Sequence, residues 1–423
     1  MKSLLKTVLV STALMSFASI ASAAETVVWW DFLGGGDGVR MKKLIEDFNT
    51  EHSGKIQIQG TTLDWGVPFY TKVQTSAAVG EGPDIMTYHA SRIPLAVSQG
   101  SLSEITDEDY SAMGLSADSF AKETYEAVQV DGKKYAVPFD THPIVLYYNK
   151  DKLEAAGLIG ADGLPTGLDG VDNFAAALQK LKDGGTTYGL STTTADGSFS
   201  FRTIYSMLCQ QNGSIGTDGA WLEGDNLQKL ENAVQVIADW VKNGYAPEYT
   251  DYASNVALFT SGEAAMMING VWEVPTMVDL EKQGKLFNWG AIELPVFFDR
   301  PCTYADSHSF AIPNNVGKPA TPEKHAAVLE VIKWMSEHSL FWATAGHIPA
   351  NAAVQASAEY KAMQPQATYA KLTANQVFDP KSPNAGVASP LFDAAGNAFT
   401  AAMNNEIDAK TAAEEMKAAL DAL

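Results

Sequence analysis

The sequence is short of cationic side chains. Against 50 Asp and Glu stand 29 Lys and Arg, a formal net charge of −21 over 423 residues. Nucleic acid is bound by a basic face that displaces counterions from phosphates, and an anionic membrane surface asks for the same, so both classes of partner are set aside. An acid excess of this size favours a soluble chain whose copies repel one another. Cysteine is scarcer still: Cys209 and Cys302 stand alone. They form a disulfide in an oxidising compartment or remain two buried thiols, and the sequence leaves both open. No G-x-S-x-G elbow, P-loop Lys-Ser/Thr, H-x-x-x-H or C-x-x-C spacing occurs, so no nucleophile, nucleotide, metal or other cofactor site is expected. The run Gly34 to Gly38 falls short of a dinucleotide loop because Val39 takes the place of the last glycine. Internal repeats, low-complexity tracts and a Pro/Gly/Ser-rich linker are all missing, and beyond the N-terminus no apolar stretch reaches transmembrane length.

What is present begins with a leader. Lys2 and Lys6 precede a mostly apolar or small run from Val8 to Ile20, and Ala21-Ser22-Ala23 gives the A-x-A pattern of a secretory signal peptide cut after Ala23. The run is short for a bilayer span, and no cysteine at the cleavage point suggests a lipid anchor, so a free periplasmic protein is expected. A strand at Thr26–Trp30 follows, then a helix with Met41, Leu44, Ile45 and Phe48 on one face, then a strand carrying Ile56 and Ile58. Further strands are expected at 135–137, 144–148 and 265–269. Helical faces recur at Phe174/Leu178/Leu181, at Leu227/Leu230/Val234/Ile237/Val241 closed by Gly244, and after the N-cap Thr321-Pro322. Thr411 and Glu414 suggest a capping box for a last helix that buries Met416, Leu420 and Leu423. The class is α/β, with helices over mostly parallel sheets.

Several segments, in order, carry a resemblance: Gly80-Glu81-Gly82-Pro83-Asp84-Ile85, Gln99 to Ile105, Tyr135-Ala136-Val137-Pro138 leading to Tyr148-Asn149-Lys150-Asp151, Phe259 to Met266 followed by Asn269-Gly270-Val271-Trp272, and Gly346 to Ala350. In this order over most of the mature chain they resemble the sugar-handling extracellular solute-binding proteins of ABC importers, the group containing maltose-binding protein. The resemblance implies two α/β lobes joined by a hinge, an interlobe cleft for the ligand, closure on binding, an inner-membrane permease as partner, a monomer and no enzyme activity. It divides the chain into a signal peptide (1–23), an N-terminal lobe (24–141 with 288–339) and a C-terminal lobe (142–287 with 340–423), with crossings near Thr141, Asn288 and Ser339. The alternative from another class is a secreted carbohydrate-active hydrolase, because 50 carboxylates give many chance acid pairs.

A sugar offers apolar C–H faces and a ring of hydroxyls, so a site for it pairs flat aromatics with hydrogen-bonding groups. Trp272 follows the small pair Asn269-Gly270, and the resemblance puts a ligand-stacking Trp there; the competing reading is a core Trp. Trp30, Phe32, Gly35 and Asp37 sit in the loop after the first strand, where open α/β sheets bind ligands; Asp37 serves equally as a helix N-cap. Tyr88, His89 and Arg92 follow the strand at 84–86, in a segment that keeps only Arg92 of maltose-binding protein's side chains, and a rim salt bridge competes for Arg92. Asp140 and His142 lie before a strand at the expected hinge, and a satisfied structural role competes for His142. Asp306 and His308 are placed in a cleft loop, His347 near it, and the segment Asp196 to Phe199 is a further candidate.

Overall fold

The computed structural model describes residues 24–423; the expected leader lies outside them. Among the described residues no helix is long and apolar enough to cross a membrane. Two sheets organise the chain, each with its own core, and the chain passes between them at a few short crossings.

The first sheet is built on Glu25–Asp31, parallel to Ile56–Thr62 on one side and to Ile85–His89 on the other. His308–Ala311 then pairs antiparallel with Ile85–His89, and Ala136–Pro138 closes the sheet. Trp29 is fully buried, edge-on to Phe310 at 5.2 Å, and the helix Gly36–Glu51 seals the face with Met41, Leu44 and Phe48. The second sheet centres on Asp140–Asn149, ten residues all buried. A strand covered on both faces needs a nearly continuous apolar run, and Ile144-Val145-Leu146-Tyr147-Tyr148 supplies it with β-branched and aromatic residues. Ala264–Gly270, Trp289–Glu293, Thr303–Asp306 and Ile348–Pro349 all pair antiparallel with this strand.

Four expectations are corrected here. The sheets are mixed and not mostly parallel, because the central strand of the second one receives antiparallel neighbours throughout. The lobe boundary drawn at Asn288 is displaced: 289–306 stays with the second sheet, and the chain returns to the first at Ser307, between Thr303–Asp306 and His308–Ala311. Asp140 and His142 therefore lie within a strand, and Asp306 and His308 flank a one-residue crossing instead of sitting in a loop. In the last helix, Ala409–Asp421, the cap is Asp408, whose side chain accepts from the Thr411 amide, and Leu423 lies exposed beyond its end. Cys209 and Cys302 are joined by a disulfide with a Cα–Cα separation of 5.9 Å, tying the helix Gly197–Gln210 to the approach of Thr303–Asp306.

The two lobes touch. Gly36, in the first turn of its helix, lies against Pro275 in the helix Val274–Lys282, so closely that an added β-carbon would overlap the proline. One turn on, Arg40 reaches Asp279 at 3.4 Å.

Candidate ligand cleft

At the crossings the sheet register gathers side chains that are far apart in sequence. Asp140 pairs with Pro349, His142 with Asp306, and His308 with His89. Asp140 is the hub and is fully buried. Its Oδ1 accepts from His142 Nδ1 at 3.0 Å and from the His308 amide at 2.9 Å; its Oδ2 accepts from His308 Nδ1 at 2.8 Å and from Trp342 Nε1 at 2.7 Å. Burial alone would push this carboxyl up; the His308 and His347 rings and the hydrogen bonds outweigh it and hold Asp140 well below the usual carboxylate range. For His308 burial works against the charge, and the Asp140 carboxylate overcomes it and raises the imidazole. Burial first, then the charge on His308, lowers His142 and His89, and burial lowers His347 most of all its causes. Asp140 is thus held toward its charged form and His308 is shifted toward its own, while burial turns the surrounding imidazoles of His142, His89 and His347 toward the neutral form.

Around this floor stand aromatic rings and carboxylates. Phe32 stacks on His89 at 4.5 Å, and Tyr70 shares a 2.5 Å hydrogen bond with His89 Nδ1. Trp65, more than half exposed, stands edge-on to His89 at 6.3 Å. Asp37 is half-buried in the first turn of its helix, where Gly35 holds the N-cap position; burial raises its carboxyl and His308 opposes the rise. Asp306 accepts from the Ser91 and Ser307 amides and from Ser91 Oγ. From the second lobe, the ring of Trp272 lies 5.8 Å from that of His142. Its Nε1 donates to Tyr252 Oη at 2.9 Å, and Tyr252 in turn donates to Glu273. Phe199 stands edge-on to Trp272 at 6.5 Å and to Tyr252 at 5.3 Å.

The structure thus gathers Phe32, Asp37, His89, Asp140, His142, Trp272, Asp306, His308 and His347 of the sequence candidates. It does not bring Trp30, Tyr88 or Arg92 into this group. Trp30 points to the other face of its strand, half-buried under Lys72 at 5.8 Å. Tyr88, the strand neighbour of His89, turns the opposite way and packs edge-on to Tyr70. Arg92 lies over the Tyr70 ring at 4.5 Å and donates to the Ala388 carbonyl at 2.7 Å, so its charge serves packing behind the cleft. Sequence reasoning missed Trp65, Tyr70, Tyr252, Glu273 and Arg202. Arg202 had a visible signal, a lone charge in the apolar helix Gly197–Gln210. It is buried among Phe199, Tyr304 and Phe392, and its guanidinium's one hydrogen bond among the described residues is a long 3.4 Å contact to the Ser198 carbonyl.

The profile of the bacterial extracellular solute-binding protein family matches residues 43–368. The chain belongs to that family. Similar relatives include the galactooligosaccharide-binding protein of Bacillus subtilis, 26% identical over 302 residues that cover 66% of this chain and 62% of that protein. The maltodextrin-binding protein MdxE of Bacillus subtilis is 26% identical over 75% of this chain and 73% of its own length. Among solved structures, maltose-bound MalE3 of T. maritima superimposes with a TM-score of 0.79 at 21% identity, covering 94% of this chain and 99% of that one. A Thermotoga lettingae solute-binding protein bound to α-D-tagatose gives 0.78 at 17% identity, covering 94% and 99%. At these identities the likeness shows the fold: two α/β lobes.

Proposed function

We propose that this protein is the periplasmic receptor of an ABC importer, that it binds a carbohydrate between its lobes, and that it releases the sugar unchanged to a membrane permease. The observation that carries this reading is Trp272. It is a partly buried indole that stands edge-on to the buried His142 imidazole at 5.8 Å, close to the line where the two lobes meet. A pyranose or furanose presents an apolar face to such an indole and hydroxyls to the cleft floor. Trp65 on the first lobe offers a second aromatic surface. The Nε2 atoms of His89, His142 and His308 have no hydrogen-bond partner among the described residues and are free to meet hydroxyls. The relatives named for galactooligosaccharides and maltodextrin support the ligand class. Gly36 and Pro275 mark the contact that closes when the hinge shuts.

The test is a thermal-shift panel on mature protein from Ala24, with mono-, di- and trisaccharides, polyols and sugar acids. A ligand that binds only the folded state raises the melting temperature by mass action. A rise with one sugar that is recovered unchanged supports a receptor. A flat panel defeats the carbohydrate reading, and consumption of the sugar means a hydrolase.

A further inference from the structure

We propose that Asp140, His142, His308 and His347 form a binding site for one divalent transition-metal ion of the zinc class. The four residues come from the central strand of the second sheet, from the strand His308–Ala311 of the first, and from the turn before Ile348. Their candidate donor atoms all lie within 4.8 Å of one another, and all four residues are buried.

Three observations lead there. The first is spacing. Metal–donor bonds of about 2.0–2.1 Å in a tetrahedron set the donors about 3.3 Å apart. The Nδ1 atoms of His142, His308 and His347 lie 3.0, 2.8 and 3.7 Å from the Asp140 carboxylate oxygens, on either side of that value. The second is His347 itself. Its ring is wholly buried, yet neither nitrogen has a hydrogen-bond partner among the described residues. An unmade hydrogen bond in a dry site is costly, and a metal would satisfy it. Stacking on Trp342 at 4.8 Å and 10° fixes the orientation of that ring. The third is donor chemistry. Three imidazoles and one carboxylate suit zinc, cobalt, nickel or copper, whereas calcium and magnesium take oxygen shells. The outer shell is already in place, since Trp342 Nε1 and the His308 amide hold the Asp140 carboxylate.

Binding exchanges hydrogens for the ion. The protons that His142 and His308 now present to Asp140 from Nδ1 move to Nε2 or leave to solvent, and the freed Nδ1 lone pairs take the metal. The Nε2–H groups of both rings then remain for the cleft, so a metal and a sugar are compatible there. A second grouping, His89 with His142 and Asp306, lies beside this one. Unlike His347, each of its members already has a hydrogen-bonded side-chain atom: Tyr70 occupies His89 Nδ1, Asp140 occupies His142 Nδ1, and Ser91 and Ser307 occupy the Asp306 oxygens. A metal on the four-residue set would pin both sheets at their junction and stiffen the floor about which the lobes turn.

The experiment uses the full mature chain stripped with a chelator and kept free of sugar, so its outcome is independent of the carbohydrate reading. Calorimetric titration with Zn2+ is expected to give one ion per chain and a raised melting temperature. Co2+ is expected to give the strong visible absorption of a tetrahedral site, lost in His347→Asn and in His308→Asn and kept in the surface variant His325→Asn. The Co2+ spectrum of the unmutated protein stands as a test even if a buried variant fails to fold. No stoichiometric ion, an octahedral Co2+ spectrum, binding that survives His347→Asn, or binding lost only with His89→Ala would each overturn the assignment.

Discussion

Gly36 meets Pro275 where the two lobes come together, and there is no room between them for a β-carbon. Gly36 sits in the first turn of a helix, where alanine is locally acceptable or better. Gly36→Ala is therefore expected to leave each lobe folded and to obstruct their approach. Affinity for the sugar identified by thermal shift should fall by about tenfold, the effect of about 1.4 kcal/mol against the closed state. Calorimetry checks the affinity and denaturation the stability; an unchanged affinity would mean that the lobes need not touch here to bind.

Trp272→Ala separates the two roles open to this residue. A core tryptophan costs about 3–5 kcal/mol of stability on truncation to alanine. A ligand-facing one costs mainly binding. Partly buried, with its Nε1 bonded to Tyr252, Trp272 is expected to lose at least about 2 kcal/mol of binding, in the range of interface hot spots, and less stability than a fully buried tryptophan. Tyr252→Phe, which removes the hydroxyl that accepts from the indole, should give a smaller loss in the same direction.

Much of this cleft was legible in the sequence because it lies at strand ends, and strands announce themselves. Ala264–Gly270 and the run from Ile144 were visible as apolar blocks, and Asn269-Gly270 marked where a side chain would emerge. The sequence pattern starts this strand only at Ile144, because polar Asp140 and His142 carry no strand signal and tertiary pairing with Thr303–Asp306 and Ile348–Pro349 is what makes them extended. Facing direction was not legible. Tyr88 and His89 are neighbours, and the period-two alternation sends one into the cleft and the other behind it, so a register unknown by one residue could not tell them apart. The lobe boundary failed at Asn288 because nothing in composition marks Ser307, a single residue between two strands. The metal-binding geometry was invisible for a similar reason. Spacing rules find ligands on one element, and here Asp140 and His142 meet His308 and His347 across two sheets.

Asp31, beside the cleft cluster, gives a pH dependence of its own to which Asp37 adds a small upward push. Burial raises its carboxyl to about 6, against the opposing hydrogen bond from the Leu33 amide at 3.0 Å. The folded state thus binds this proton more tightly than the unfolded one. Its stabilising share is present below about pH 4 and is lost as pH rises through about 6. Asp31→Asn keeps an acceptor for Leu33 and removes the charge. The variant should gain up to about 2–3 kcal/mol over the unmutated chain at pH 7.5, and the gain should vanish near pH 4. Urea denaturation at the two pH values checks this; an equal difference at both would show that the charge is not the cause.

The Cys209–Cys302 bond closes a loop with a sequence separation of 93 residues. Constraining the unfolded chain over such a loop contributes typically about 2–4 kcal/mol. Reduction, or Cys209→Ser with Cys302→Ser, should lower the urea midpoint by a corresponding amount. Sugar affinity should stay close to its value, because Cys209 sits at the far end of the helix Gly197–Gln210 from Phe199 and its sulfur's hydrogen-bond partner is Arg300, outside the cleft group. Loss of binding at full stability would instead place the helix Gly197–Gln210, with Phe199 and Arg202, under the control of the disulfide.

Asp140→Asn tests the hub. The carboxylate accepts four hydrogen bonds in a site closed to solvent, two of them from His308, and balances the charge on that imidazole. Removing one partner of a buried ion pair leaves the other charge uncompensated and typically costs about 3–5 kcal/mol. An amide has one oxygen: in one pose it accepts from the His308 backbone, in the other from Trp342, and either way its N–H2 is turned toward the donors on the opposite side and its neutral group cannot balance a charged imidazole. In chelator, where no metal contributes, the variant should lose stability of that order at neutral pH, and His308→Asn in the same background should add little, since the two residues act as a unit. Additive losses in the double variant would mean that Asp140 and His308 stabilise the crossing independently and that the pair is not the element joining the two sheets.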